Sequence, residues 1–187
     1  MRIIAGIYKG NRINSVEGYT ARPTSDFVRE MVFSTLYSIN PSFDKVLDLY
    51  AGSGAVGLEA LSRGAGEVTF VDAAKKSIST IISNINLLKC ENKCKVVLKK
   101  VDTFLRNEAI LLSNEIQIPK YTLIFADPPY NKNLVNLTVK SIFENNFLAE
   151  DGILIIEHSK DEPIKDEFQK YIFKEKKTAT IIISFLK

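Results

Sequence analysis

Cysteine and histidine are nearly absent from this chain of 187 residues, which holds two cysteines, Cys90 and Cys94, and a single histidine, His158. A zinc site needs four ligands, and His158 stands far in sequence from the cysteines, so no metal is expected. Two thiols in a Lys/Asn-rich connection read as ordinary intracellular cysteines rather than a structural disulfide. His158 follows the apolar run Ile153–Ile156 and Glu157, and reads as a hydrogen-bonded structural residue. No apolar run approaches the roughly 20 residues of a membrane helix, and the first residues lack the apolar stretch and cleavage site of a signal peptide. A cytoplasmic protein is expected. Its length suits one domain, 1–187, with an N-terminal extension over 1–40 and a core over 41–187.

Charge of one sign is also scarce, since the net charge is only +3. Its distribution is uneven. Residues 1–29 hold Arg2, Lys9, Arg12, Arg22 and Arg29 against Glu17 and Asp26, so the whole basic excess lies there. A localised basic arm is the footprint expected for a phosphate backbone, and equally suits a solvated surface hairpin.

Beyond the arm, apolar strand-like runs at 46–50, 68–71, 95–98, 121–126 and 153–156 alternate with amphipathic helical patterns at 56–63, 74–88, 102–112 and 134–147. Alternation of this kind implies a doubly wound, Rossmann-like α/β sheet with mostly parallel strands. The end of the chain departs from it. Segments 170–173 and 179–186 are joined only by 174–177, which forces an antiparallel C-terminal hairpin. Before the core, Ile3–Ala5 and Arg12–Ser15 flank a turn-rich stretch and suggest a small N-terminal β-hairpin. Thr24 or Ser25 could cap a helix over 26–37.

Two motifs carry chemistry. Asp127-Pro128-Pro129-Tyr130 ends the fourth core strand. An exocyclic amine of a nucleobase donates two N–H bonds and has a delocalised lone pair, so a site that accepts both hydrogens helps it react. Asp127 offers a carboxylate and the Pro128 carbonyl a second acceptor, held extended by consecutive prolines. Tyr130 offers a stacking surface, worth roughly 1–3 kcal/mol per base. A plain strand-ending Pro-Pro turn is the competing reading.

The second motif, Asp48 to Gly57, follows the first core strand and opens a helix, where an open α/β sheet has its ligand crevice. Gly52, Gly54 and Gly57 also satisfy the G-x-G-x-x-G dinucleotide fingerprint, with Asp72 about 20 residues on, so NAD is an alternative ligand. Asp48 opposes it: a carboxylate there repels a pyrophosphate but attracts an ammonium and a sulfonium, at about 4 kcal/mol for a close pair before desolvation. S-adenosylmethionine carries that charge pattern.

Taken together, Arg2-Ile-Ile-Ala-Gly6, Arg22-Pro-Thr24 with Arg29-Glu30 and Phe33, Asp48 through Leu61 with Ser62-Arg63, and Asp127 to Tyr130 resemble the class I S-adenosylmethionine-dependent methyltransferases of the RsmD type. That family methylates guanine N2 in small-subunit (16S) ribosomal RNA. The resemblance implies that Asp48 and the loop Ala51, Gly52, Ser53 and Gly54 hold the methionine part of the cofactor, Asp72 its ribose, and Asp127 with Pro128 the target amine. It also implies that the arm docks on ribosomal RNA, free or in a small-subunit particle, through Arg2, Lys9, Arg12, Arg22 and Arg29. Three positions depart from the pattern. Lys100 occupies the usual adenine-contacting site, leaving Val101 or Asp102 for that role; Phe27 replaces an arginine; and a glycine is missing near Lys177. An adenine-N6 or cytosine-N4 DNA methyltransferase would use the same tetrad, but a region for reading duplex sequence is not visible. A non-catalytic RNA-binding module that kept the fold would not need both motifs.

Overall fold

The computed structural model describes residues 1–17, 26–39, 41–113 and 120–187. Arg22 and the expected caps Thr24 and Ser25 lie outside them. The described elements, in chain order, are α1 (Asp26–Ile39), β1 (Lys45–Leu49), α2 (Ala55–Ser62), β2 (Glu67–Asp72), α3 (Lys75–Leu88), β3 (Cys94–Leu98), α4 (Val101–Ser113), β4 (Tyr121–Ala126), α5 (Leu134–Glu144), β5 (Leu148–Ser159), α6 (Asp166–Gln169), β6 (Ile172–Lys177) and β7 (Ile181–Leu186). The strands form one sheet in the order β3-β2-β1-β4-β5-β7-β6. β1 to β5 pair in parallel, whereas β7 runs antiparallel to both β5 and β6.

Period-two alternation splits each central strand between two apolar layers. Val46, Val68, Phe70, Leu123, Phe125 and Ile155 pack with α1, α2 and α3, while Leu47, Leu49, Val71, Ile124, Ala126 and Ile156 pack with α4 and α5. The order reverses at β1, whose neighbours are β2 on one side and β4 on the other. A crevice therefore opens at the carboxyl ends of these strands.

The C-terminal hairpin is shifted from its expected position. Lys174–Lys177 is not a connection but part of β6, and the turn lies at Thr178, whose N–H donates to the Ile181 carbonyl and whose hydroxyl accepts from the Ile181 N–H. A lysine-rich segment is tolerated as a strand because β6 is the outer edge of the sheet, where charge discourages further pairing.

The N-terminal hairpin is a tight loop with a single antiparallel bridge, Arg2 to Arg12. Interactions with α2 hold it in place. Fully buried Glu59 accepts hydrogen bonds from the N–H groups of Ile4 (2.8 Å) and Ala5 (3.0 Å) and pairs with Arg63 Nε at 2.8 Å. Arg63 in turn lies 4.7 Å from the centre of the Phe33 ring. Gly6 has φ +84°, and a Cβ there would fall 1.8 Å from the Ser62 carbonyl oxygen, so only glycine lets the arm come this close. Replacing Glu59 with Ala strands two backbone donors and a cation, and is expected to cost roughly 3 kcal/mol of stability. Hydrogen exchange at Ile4 and Ala5 should accelerate more than exchange in the central strands; equal acceleration throughout would refute a local anchoring role.

Candidate functional site

At the crevice lies a cavity of about 890 Å³. Asp48, Tyr50, Ala51, Gly52 and Ser53 line it from the end of β1 and the loop that follows, Asp72 from the end of β2, and Lys100, Val101 and Asp102 from the start of α4. Asp127, Pro128 and Tyr130 enter from the end of β4, and Met1, Ser15 and Val16 from the arm. The expected cofactor residues and the expected amine site thus share one chamber. Gly54 is the exception, since it is not on the cavity wall. Its φ of +76° and its N–H bond to the Ala51 carbonyl close the turn before α2, with Phe70 and Ile81 packed beneath.

Asp48 is buried, and its Oδ2 accepts the Gly57 N–H at 2.9 Å, beneath the first turn of α2. Gly57 makes this approach possible: a Cβ there would lie 2.4 Å from the Phe70 ring. Burial pushes the Asp48 carboxyl up to about 8; the Gly57 bond opposes the shift and the nearby Asp72 charge adds to it. A cation entering the cavity would restore the ionised form, whereas a pyrophosphate would penalise it further. Asp72 braces the loop, its Oδ2 accepting the Gly52 N–H at 2.9 Å and its Oδ1 the Ala74 N–H at 2.8 Å. Each of its oxygens keeps a second lone pair, which suits a vicinal diol. The donor set therefore fits a cationic ligand bearing a ribose. Fully buried Asn84, on α3, donates to the carbonyls of Ser53 (3.0 Å) and Asn14 (3.1 Å), tying the glycine loop to the arm.

On the opposite wall, Pro128 is buried and Tyr130 is half exposed. Two buried carboxylates, both without any motif around them, hold this segment. Glu157, at the end of β5, accepts the Tyr130 hydroxyl at 2.6 Å, and burial pushes its own carboxyl above the usual range. Glu162 accepts the N–H groups of Asn131 (2.9 Å) and Val135 (3.2 Å). Tyr50 was also missed by sequence reasoning; it has φ +57°, and its hydroxyl lies 2.9 Å from Thr138 Oγ1. Its position directly after the first strand was the only available signal. His158 is a structural residue, bonded to Ser184 Oγ and to the Ser159 carbonyl. Cys90 and Cys94 are free thiols with their sulfurs 3.8 Å apart. Among the described residues, no group of three or more His, Cys, Asp or Glu could hold a metal ion.

The basic arm divides. Arg2, Lys9 and Arg12 are exposed, and Arg22 lies outside the described residues. Arg29 contradicts its expected role as a phosphate contact. It is fully buried, and its Nη2 donates to the Arg2 carbonyl at 2.8 Å and to Asp26 at 2.7 Å. Its guanidinium fastens the arm to α1 and is not offered to an external anion.

A family model described as "Conserved hypothetical protein 95" matches residues 1–187. Ribosomal RNA small subunit methyltransferase D of Haemophilus influenzae is 32% identical over 182 residues, covering 97% of this chain and 90% of that protein. A solved Escherichia coli structure, described as a methyltransferase, superposes with a TM-score of 0.79 at 28% identity, covering 99% of this chain and 96% of that one. A protein solved in complex with S-adenosylhomocysteine matches at a TM-score of 0.63 over 85% of this chain and 49% of that one; its 17% identity supports the fold alone. On the matched family model, the identity along nearly the whole chain and the shared fold, the chain belongs to the RsmD family of class I methyltransferases.

Proposed function

We propose that this chain methylates the exocyclic N2 amine of a guanine in small-subunit (16S) ribosomal RNA, using S-adenosylmethionine. The observation that carries the reading is that Asp48 and Asp72 line the same cavity as the Asp127 to Tyr130 segment. The RNA target is supported by the name of the Haemophilus influenzae relative, and N2 of guanine by the resemblance of the motifs. On this reading the chain acts as one methyltransferase domain in the cytoplasm, on free ribosomal RNA or on a small-subunit assembly intermediate. Arg2, Lys9 and Arg12 then contact phosphates, which anchors the RNA without reading its sequence.

Asp48 and the Ala51–Ser53 backbone would hold the methionine part of the cofactor, Asp72 its ribose, and Val101 or Asp102 its adenine. When bound, S-adenosylmethionine supplies a sulfonium-borne methyl group whose bond electrons stay with sulfur as nitrogen takes the carbon. Asp127 and the Pro128 carbonyl accept the two amine hydrogens. Holding both favours a pyramidal nitrogen whose lone pair is withdrawn from conjugation with the ring and available for the methyl group, so positioning and electrostatic preorganisation supply most of the catalysis. Asp127 takes the proton that the methylated nitrogen must lose. Tyr130 stacks on the base, which leaves the RNA stack to enter.

Three tests follow. Asp127→Ala should lower methyl transfer to RNA from cells lacking the protein by at least about a hundredfold, with cofactor affinity unchanged within about twofold as measured by calorimetry; retained turnover would refute the assigned role. The same RNA should lack one N2-methylguanosine by nucleoside mass analysis, and an unchanged profile would refute the substrate. The third test uses pH. With its carboxyl near 8 in the free protein, Asp48 is mostly protonated at pH 7, and a bound cation favours its ionised form. Binding should therefore release a proton from Asp48, and affinity should rise with pH until about 8, by up to about tenfold per unit. Calorimetry in buffers of different ionisation enthalpy should detect that proton with wild type and not with Asp48→Asn; equal proton release by both would refute the pairing.

A further inference from the structure

We propose that Glu157 is a positioning residue for the target base, acting through Tyr130. The proposal rests on Tyr130 being the surface on which that base stacks. Pairing of Ala126 with Ile156 across β4 and β5 places the next two residues, Asp127 and Glu157, side by side at the carboxyl ends of adjacent strands. Glu157 is only 5% exposed, whereas Tyr130 is 41% exposed at the cavity wall. The 2.6 Å bond from the Tyr130 hydroxyl to Glu157 Oε1 therefore runs from a half-exposed ring into the interior of the sheet.

Stability alone does not account for a carboxyl group here. Glu157 Oε2 is buried without a hydrogen-bond partner, and an apolar side chain beside Ile156 would avoid that desolvation cost. What the carboxyl group provides is orientation. The bond gives the Tyr130 hydroxyl a fixed direction, and a ring ordered before the base arrives removes that entropy from the binding step. Glu162 fixes the backbone of the same connection separately, through Asn131 and Val135. Loss of Glu157 should therefore remove this hold on the ring's orientation while leaving the path of the chain intact.

The test compares wild type with Glu157→Gln, Glu157→Ala, Tyr130→Phe and the double variant Tyr130→Phe/Glu157→Ala. Small-subunit RNA from cells lacking the protein serves as substrate, and 3-fluorotyrosine labelling gives a fluorine resonance for Tyr130. Tyr130→Phe and Glu157→Ala should each lower kcat about tenfold, with cofactor affinity unchanged. The double variant should be no slower than either, because both remove the same bond. Glu157→Gln should stay within about threefold of wild type, since an amide oxygen accepts the same hydroxyl. The fluorine resonance should move in Glu157→Ala and return in Glu157→Gln. Wild-type turnover in Tyr130→Phe, multiplied losses in the double variant, or an unmoved resonance would each overturn the proposal. If Glu157→Ala does not fold, Tyr130→Phe and Glu157→Gln still decide it. Inactivity of wild type on any RNA would instead count against the proposed function, and the fluorine measurement would still report on the Glu157–Tyr130 link.

Discussion

A carboxylate buried beneath a helix N-terminus sets the terms for the rest of this structure. Asp48 sits in β1, an inner strand of the sheet, with α2 directly above it, and all eight residues of that helix are buried. Contact between strand and helix is close enough for the Gly57 N–H to reach Asp48 only because residue 57 has no Cβ to strike Phe70. That bond and the partial positive charge at the helix end offset part of the cost of burial. They do not offset all of it, since the carboxyl remains shifted to about 8. The fold thus holds back part of its electrostatic satisfaction until a cation occupies the cavity.

Around that constraint the loop and the arm are fixed by hydrogen bonds that leave little slack. Asp72 holds Gly52, Asn84 holds Ser53, and the same Asn84 amide holds Asn14 of the arm. Glu59 and Ser62, on the helix that covers Asp48, hold Ile4, Ala5, Ile7 and Tyr8. The arm proposed to meet RNA and the loop proposed to hold the cofactor are consequently two edges of one hydrogen-bonded body. Met1, Ser15 and Val16 reach the cavity wall for this reason, although nothing in their residue types suggests a site.

Much of this was legible in the sequence, and the parts that were not share a physical cause. Alternating apolar runs located the central strands because each is buried on both faces, and the cavity motifs stood out because glycine and proline have few other uses at strand ends. Arg29 misled because charge in a sequence does not reveal burial: it stands among exposed arginines and yet is the one enclosed by Asp26 and the Arg2 carbonyl. Glu157 and Glu162 were invisible because they reach Tyr130, Asn131 and Val135 across a strand pairing and roughly 30 residues of chain. β6 was shifted because a run such as Lys174–Lys177 has neither the composition nor the apolar alternation of a strand, and holds its place through pairing with β7.

Asp48, Asp72, Glu157 and Glu162 are four buried carboxyl groups at one end of one sheet, and the donors that reach them are backbone N–H groups and the Tyr130 hydroxyl. Amide donors fix a carboxylate without cancelling its charge, as a lysine or arginine would. Of these, Asp48 and Asp72 line the chamber with Asp127, and because a bound cation favours the ionised form of Asp48, the site suits a sulfonium, an ammonium and the hydrogens of an amine better than a phosphate. On the proposed function, an RNA chain presents a base to this site while its phosphates rest outside on Arg2, Lys9 and Arg12, which are exposed. On that reading, extrusion of the target nucleotide follows from the electrostatics as much as from the shape, and a ring already in place when the base arrives lowers the cost of binding it.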